Sequence, residues 1–297
     1  MTDWKGRANT ALHETLRRLP TGVVSLIGAG LGELSGRGRG SGRRERAGAT
    51  VARFGAAAHP EPAGWGWCRH MGRTLAELAT LDRLWAEGRI EVQGAEHLDS
   101  GGRPLLIAGV HTGNWEVVGL TLAGLGRAPA IIYAPPGNPA EHALVVAARR
   151  RYGARLIAPS PIAAREALRT LEARRQPLLV YVDEWKHGRV HGPALGRPLL
   201  AEGNIATVVR LAARTGALVV PVIPERLSGA RFRVRFLPGM LVPSKQPLMT
   251  GIARLDAAIE PEVRRLMAQW LMAYVWPLQD RAGNERALPS QTHPPGN

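Results

Sequence analysis

Pro104-Leu105-Leu106-Ile107-Ala108-Gly109-Val110, running into His111-Thr112-Gly113-Asn114-Trp115-Glu116, is the stretch on which the reading of this chain turns. The first seven residues carry no charge and are bounded by a proline and a polar turn. A run this short and this apolar reads as a strand buried on both faces. Residues 114–125 then read as a helix. The same alternation continues outward in both directions. Strands are predicted at 89–92, 130–133, 155–158, 177–182, 217–223 and 231–237. Helices are predicted at 1–20, 67–86, 139–152, 161–175 and 205–215, and within 250–276. Near-continuous Leu, Ile and Val strands alternating with amphipathic helices predict an α/β fold, a single sheet covered by helices on both faces. No linker interrupts residues 65–280, which read as one catalytic domain. Residues 1–64 read as an N-terminal helical and basic appendage, and the polar residues 281–297 as a disordered tail.

In open α/β folds the working groups sit beyond the carboxyl ends of strands. That directs attention to the residues just after Val110, Tyr133 and Val182. His111 stands where its strand ends, and Thr112 or Asn114 is placed to cap the next helix. Glu116 falls in the first turn of that helix. Because the chain turns between them, Glu116 is expected to reach back to the imidazole. A carboxylate on one ring nitrogen fixes the tautomer and raises the basicity of the other. Such a pair activates a hydroxyl or a thiol, and the nearby helix N-terminus favours a developing oxyanion. No Gly-x-Ser-x-Gly nucleophile elbow is present.

The chain has 297 residues, 45% of them hydrophobic and 21% charged, which excludes a disordered or collagen-like protein. Cys68 is the only cysteine, so there is no internal disulfide framework and no cysteine-based metal site. His187 and His191 are four apart, but Gly188 and Gly192 place them in a loop, and no metal is expected. Lys and Arg number 39 against 24 Asp and Glu, a net charge of +15. This balance attracts polyanions: nucleic acid, an anionic lipid surface or an acidic carrier protein. Residues 23–32 are apolar but short and interrupted by glycine, and read as a buried helix or a membrane-surface segment. No apolar run reaches the roughly 20 residues a spanning helix needs. Residues 36–44, rich in Gly and Arg, read as a flexible solvated loop or as a polybasic patch beside that segment. The aromatic stacking groups and repeats of RNA-binding Gly/Arg tracts are missing from it, so nucleic acid is not an expected partner.

His111-Thr112-Gly113-Asn114-Trp115-Glu116 after an apolar strand resembles the His-x4-Asp/Glu acyltransferases, and in particular the late acyltransferases of bacterial lipid A biosynthesis. Further segments resemble that family in order: Arg89 to Leu98, Tyr133 to Pro139, Arg149 to Gly153, Val182 to Glu184, Leu195 to Pro198, and Ala213 to Val222. The resemblance implies a glycerolipid-acyltransferase-like fold in which His111 is the general base and Glu116 its orienting partner. It implies Arg149 as the oxyanion arginine, with Arg151 second. Asn114, Arg151, Asp183 and Glu184 are then expected around the substrate, with Asp183 and Glu184 shaping the site or binding the acceptor. The implied donor is acyl carrier protein or acyl-coenzyme A, with no cofactor beyond that substrate. The acceptor is a glycolipid hydroxyl, and the expected location is the cytoplasmic face of the inner membrane, by peripheral or short-anchor attachment. Ala134 stands where the family has Arg, and Trp185 where it has a second Asp, both near the expected acceptor. Two alternatives stand beside this reading: acylation of another lysolipid or glycolipid, and a non-enzymatic basic protein. The second explains none of the ordered motifs.

Overall fold

The structure, a computed structural model, describes residues 4–38, 41–55, 59–186 and 188–276. His187 and the tail expected at 281–297 lie outside the described residues. Four helices come first: α1 (Trp4–Arg17), α2 (Thr21–Arg37), α3 (Ser41–Phe54) and α4 (Pro60–Glu77). After a 3-10 turn and the short α5 (Arg83–Ala86), strands and helices alternate. They are β1 (Ile90–Gln93), β2 (Leu105–Gly109), α6 (Glu116–Gly124), β3 (Ala130–Ile132), α7 (Pro139–Arg151), β4 (Arg155–Ile157), α8 (Ala163–Ala173) and β5 (Leu178–Tyr181). A two-stranded hairpin, β6 (Trp185–Lys186) and β7 (Arg189–Val190), precedes α9 (Gly203–Thr215), β8 (Leu218–Ser228), β9 (Arg231–Phe236) and α10 (Leu248–Arg265).

Seven strands form one sheet in the order β1-β9-β8-β2-β5-β3-β4, parallel except where β9 returns against β8. The two-residue period of a strand puts alternate side chains on opposite faces. Leu106, Ala108, Leu178 and Val180 therefore join one core cluster with Ile205, Val209 and Ala212 of α9. Leu105, Ile107, Leu179 and Val220 join the other, with Val117, Val118 and Leu122 of α6. Burial on both faces is why β2 and β5 read as continuous apolar runs rather than alternating ones.

The N-terminal helices differ most from expectation. The described ends of the stretch 36–44 are helical rather than loop: Gly36 and Arg37 end α2, and Ser41 opens α3. The expected helix at 67–86 starts earlier, at Pro60, where a proline costs no hydrogen bond. A boundary at residue 65 therefore falls inside α4, and Ala47, Val51 and Trp67 share a core cluster with the sheet. The glycines of α2 have a packing reason. A Cβ on Gly32 would lie 2.1 Å from the Cys68 carbonyl oxygen, and one on Gly28 would lie 2.5 Å from that of Gly72. Gly28, Gly32 and Gly36 thus form a stripe that lets α2 meet α4 backbone to backbone. No helix among the described residues is long and apolar enough to cross a membrane.

Candidate active site

β2 lies between β5 and β8, with Gly109 opposite Tyr181 on one side and Val222 on the other. Val182 N donates to the Gly109 carbonyl at 2.9 Å, so the chain segments leaving β2 and β5 start side by side. That pairing brings together His111 and Asp183, 72 residues apart. Asp183 is fully buried. Its Oδ1 is 2.7 Å from His111 Nδ1. Its Oδ2 accepts from the backbone N–H of His111 at 2.7 Å and from Trp270 Nε1 at 2.8 Å. Three N–H groups converge on one carboxylate, which fixes it in one orientation. With Nδ1–H given to Asp183, the imidazole keeps Nε2 as its basic nitrogen. The ring is stacked on Tyr181 at 4.3 Å and meets the edge of Trp115 at 5.4 Å, while Leu271 N holds the His111 carbonyl at 2.8 Å.

Asp183, not Glu116, is therefore the orienting partner of His111. Glu116 faces Arg149, whose Nε and Nη2 donate to its two carboxylate oxygens at 2.9 and 2.8 Å. Trp115 Nε1 adds a third bond at 3.1 Å. Burial alone would push the Glu116 carboxyl up. The Arg149 charge and hydrogen bonds outweigh it and hold the group below the ordinary carboxylate value. The spacing of five placed Glu116 in the first turn of α6, but an arginine from α7 reaches its carboxylate in a bidentate fork that an imidazole cannot match. Arg149 is buried too, and its Nη1 has no hydrogen-bond partner among the described residues.

The other expected substrate-binding residues are placed elsewhere. Asn114 is fully buried: its Oδ1 accepts from Glu116 N at 3.1 Å, and its Nδ2 donates to Glu77 Oε2 at 2.9 Å. It caps the entry to α6 from inside, as one of the two expected residues, and its polar atoms are not offered to a substrate. Arg151 is exposed at the end of α7, where its charge adds to the burial that lowers the pKa of His13 of α1. Glu184 turns toward the N-terminus of α9, where Asn204 N donates to its Oε1 at 2.6 Å. Burial raises its carboxyl to about 8, against the opposing pull of the Asn204 N–H.

An acid whose folded pKa lies above its unfolded value holds its proton more tightly in the folded state. Its stabilisation is complete below the unfolded value, near 4.5, and is lost as pH rises through about 8. Glu184→Gln is therefore expected to flatten the loss of melting temperature between those pH values. Thermal unfolding of both proteins across that window checks this. Parallel slopes would mean that Glu184 ionises as an ordinary carboxylate.

Sequence reasoning passed over a second buried assembly. Glu77 of α4 is fully buried and accepts from Arg226 Nη1 at 2.5 Å and Nη2 at 2.8 Å. Arg226 Nη2 also reaches Thr74 Oγ1 at 3.0 Å, and Thr74 donates to the Gly113 carbonyl at 3.0 Å. Thr112 Oγ1 donates to the Pro224 carbonyl at 2.7 Å. Gly113 has φ +55°, and a Cβ there would lie 2.9 Å from both Arg226 N and the Pro224 carbonyl oxygen, so the turn admits only glycine without strain. The loop from His111 to Glu116 is thus clamped from α4 and from β8 at once. Nothing in the sequence distinguished Arg226 from the many other arginines, or Glu77 from a surface glutamate.

A family model described as bacterial lipid A biosynthesis acyltransferase matches residues 3–274. The chain belongs to that family. The matched region of this acyltransferase contains the His111-to-Glu116 segment and both strand ends that meet at the His111–Asp183 pair. No curated protein matches the chain. Among solved structures, the 1-acyl-sn-glycerophosphate (LPA) acyltransferase PlsC from Thermotoga maritima is similar at 13% identity and a TM-score of 0.39, over 82% of this chain and 98% of that one.

Between the N-terminal helices and α7 lies a pocket of about 480 Å³, within the usual range for ligand cavities of about 300–1,000 Å³. Its walls include Leu16 of α1, Gly32 of α2, Met71 of α4 and Leu144 and Val145 of α7. Val145 and Arg149 are one helical turn apart on the same face of α7. Neither the Glu116–Arg149 pair nor the His111–Asp183 pair is among the lining residues of the pocket.

Proposed function

We propose that this acyltransferase moves a fatty acyl chain from a thioester, acyl carrier protein or acyl-coenzyme A, to a hydroxyl of a glycolipid, a lipid A precursor by its family. The observation that carries this reading is the 2.7 Å contact between Asp183 Oδ1 and His111 Nδ1, with the remaining carboxylate oxygen already committed. His111 Nε2 takes the proton of the acceptor hydroxyl. The oxygen attacks the thioester carbonyl carbon and forms a tetrahedral oxyanion. As that intermediate collapses the C–S bond breaks, and the imidazolium returns its proton to the leaving sulfur, giving an ester and a thiol. Asp183 keeps the imidazole in one tautomer and stabilises the imidazolium between the two transfers. Arg149, through its uncommitted Nη1, is the arginine for the oxyanion, and its pairing with Glu116 sets where that nitrogen lies. The pocket along α7 takes the hydrocarbon chain. The net charge of +15 suits both an acidic carrier protein and an anionic acceptor.

His111→Ala is expected to lower transfer by at least about a hundredfold, the usual contribution of a general base. Purified protein in detergent would be offered both labelled thioesters, with a tetraacylated lipid A precursor or a panel of lysolipids. Transfer to the precursor that is lost in the variant supports donor, base and acceptor together. Transfer only to a lysolipid would replace the acceptor. Full activity in the variant would remove His111 from the chemistry.

A further inference from the structure

Tyr181 is the last residue of β5 and Asp183 follows two positions on, and both meet the imidazole of His111. Asp183 holds it by one edge atom, Nδ1. Tyr181 lies against its face, with ring centres 4.3 Å apart and planes 27° from parallel. The room for the phenol ring comes from β2. Gly109 is the register partner of Tyr181, and a Cβ on it would lie 2.9 and 3.0 Å from two carbons of that ring. Gly109 is not one of the positive-φ glycines, so its backbone makes no demand for glycine. The demand comes from the ring beside it.

The phenol ring is itself fixed by the protein. Tyr181 is buried, its Oη donates to the Trp115 carbonyl at 2.6 Å, and its own carbonyl accepts from Asn204 Nδ2 of α9 at 2.8 Å. Burial, with the Glu116 charge acting in the same direction, pushes the phenol well above its ordinary value, so it remains a donor. The hydroxyl is thus committed, and Tyr181 acts through His111 rather than on a substrate. A single hydrogen bond leaves the imidazole one freedom. The last torsion of histidine is broad, so a ring held only at Nδ1 tilts and carries Nε2 along an arc. Nε2 is the atom that takes the proton. A ring packed against the face opposes that tilt, and the edge of Trp115 at 5.4 Å adds a second aromatic contact. Because Tyr181 also holds the Trp115 carbonyl, one residue steadies both the imidazole and the loop that carries it. The face of the phenol is the negative end of its quadrupole, which favours the imidazolium formed between the two proton transfers.

We propose that Tyr181 is a positioning residue for the base: its ring face, in the space that Gly109 leaves, sets the plane of His111 and so the location of Nε2. The proposal rests on the acyl-transfer reading of His111, so His111→Ala is assayed alongside. Steady-state transfer kinetics, with thermal unfolding of each protein, test it. Tyr181→Phe keeps the face and removes the hydroxyl, and is expected to keep kcat within about tenfold of wild type. Tyr181→Leu removes the face and is expected to lower kcat about a hundredfold, the effect of a displacement of about 1 Å. Its KM is expected to change only a few-fold, because Tyr181 does not touch substrate. Gly109→Ala leaves every side chain of the site in place and displaces the phenol ring, with an expected loss in kcat of about tenfold or more. In the double variant Gly109→Ala, Tyr181→Leu there is no phenol left to displace. Its kcat is expected to equal that of Tyr181→Leu within about twofold, rather than to show the product of the two losses.

A folded Tyr181→Leu or Gly109→Ala protein with wild-type kcat would overturn the proposal. So would losses that multiply in the double variant, because the glycine would then act elsewhere. Equal losses in the Phe and Leu variants would overturn it too, because the hydroxyl and not the face would be at work. Should Tyr181→Leu not fold, Gly109→Ala decides: a lower kcat at unchanged KM supports the proposal, and a wild-type kcat overturns it. Full activity in His111→Ala would overturn the acyl-transfer reading and the proposal with it. An inactive His111→Ala beside a fully active Tyr181→Leu would overturn the proposal alone.

Discussion

Asp183→Asn is expected to lower kcat by about three to four orders of magnitude, as loss of the buried orienting carboxylate does in hydrolytic triads. The reason is the direction of three hydrogen bonds. Asp183 accepts from His111 Nδ1, His111 N and Trp270 Nε1. An asparagine offers one accepting oxygen and one donating nitrogen. If the oxygen stays with the two fixed donors, the amide N–H faces Nδ1 and forces the proton onto Nε2, where the base must be free. If it turns the other way, two buried donors lose their acceptor, at about 1–3 kcal/mol each. KM is expected to change by only a few-fold, because Asp183 is buried behind the imidazole. The comparison that decides the matter is Glu116→Gln. It leaves Arg149 buried without its counter-charge, an expected loss of about 3–5 kcal/mol in stability. Its effect on kcat is expected to be smaller than that of Asp183→Asn by at least about tenfold, since it leaves the tautomer of His111 alone. Steady-state kinetics and denaturant unfolding of the two variants check both statements. The reverse order in kcat would make Glu116 the partner of the base after all.

How far the sequence could be read depended on whether a feature was local. β2, α6 and the turn between them are local: an apolar run, a positive-φ glycine and a first-turn acid within a few residues. They marked the candidate site and its histidine. The partner of His111 is not local. It follows from β5 lying beside β2, an arrangement that crosses α6, β3, α7, β4 and α8. Asp183 was legible as a residue at a strand end, and its role was not. The same holds for Glu116, whose position in α6 was legible, while its capture by Arg149 depends on how α7 packs. Asn114 was legible as a cap; its inward-facing amide depends on Glu77, which comes from the N-terminal helices. Those helices were the least readable part. Their glycines lower helix propensity and break the apolar period, so residues 23–32 read as a buried helix or a membrane-surface segment with no partner indicated, and the Gly/Arg run after them as a loop or a polybasic patch. Close approach of two backbones leaves only small residues as its trace, and small residues have several other uses.

The buried Glu77–Arg226 pair gives the other large expected effect, and it separates stability from positioning. Arg226→Met removes the counter-charge of a carboxylate that is fully buried, and is expected to destabilise the fold by about 3–5 kcal/mol. Adding Glu77→Leu replaces the whole pair with apolar groups of similar volume. That change is expected to restore most of the lost stability, because a buried ion pair contributes little over a well-packed apolar substitute. Denaturation midpoints of the single and double variants measure this directly. Activity is expected to follow a different course. In the double variant Asn114 Nδ2 has lost its acceptor on Glu77, and Thr74 has lost its bond from Arg226. Both residues hold the loop that carries His111, through Glu116 N and the Gly113 carbonyl. A loop released from one side lets the imidazole move relative to the acceptor, and displacements of about 1 Å cost about a hundredfold in rate. The double variant is therefore expected to fold within about 1–3 kcal/mol of wild type, the cost of the unpaired Asn114 amide, and to retain roughly one hundredth of its kcat, with the pH dependence of the remaining rate unchanged because the Asp183–His111 contact is intact. Recovery of both stability and kcat would reduce the pair to a packing element. Recovery of stability alone would make Glu77 and Arg226 positioning residues that act on the base through the backbone of its own loop.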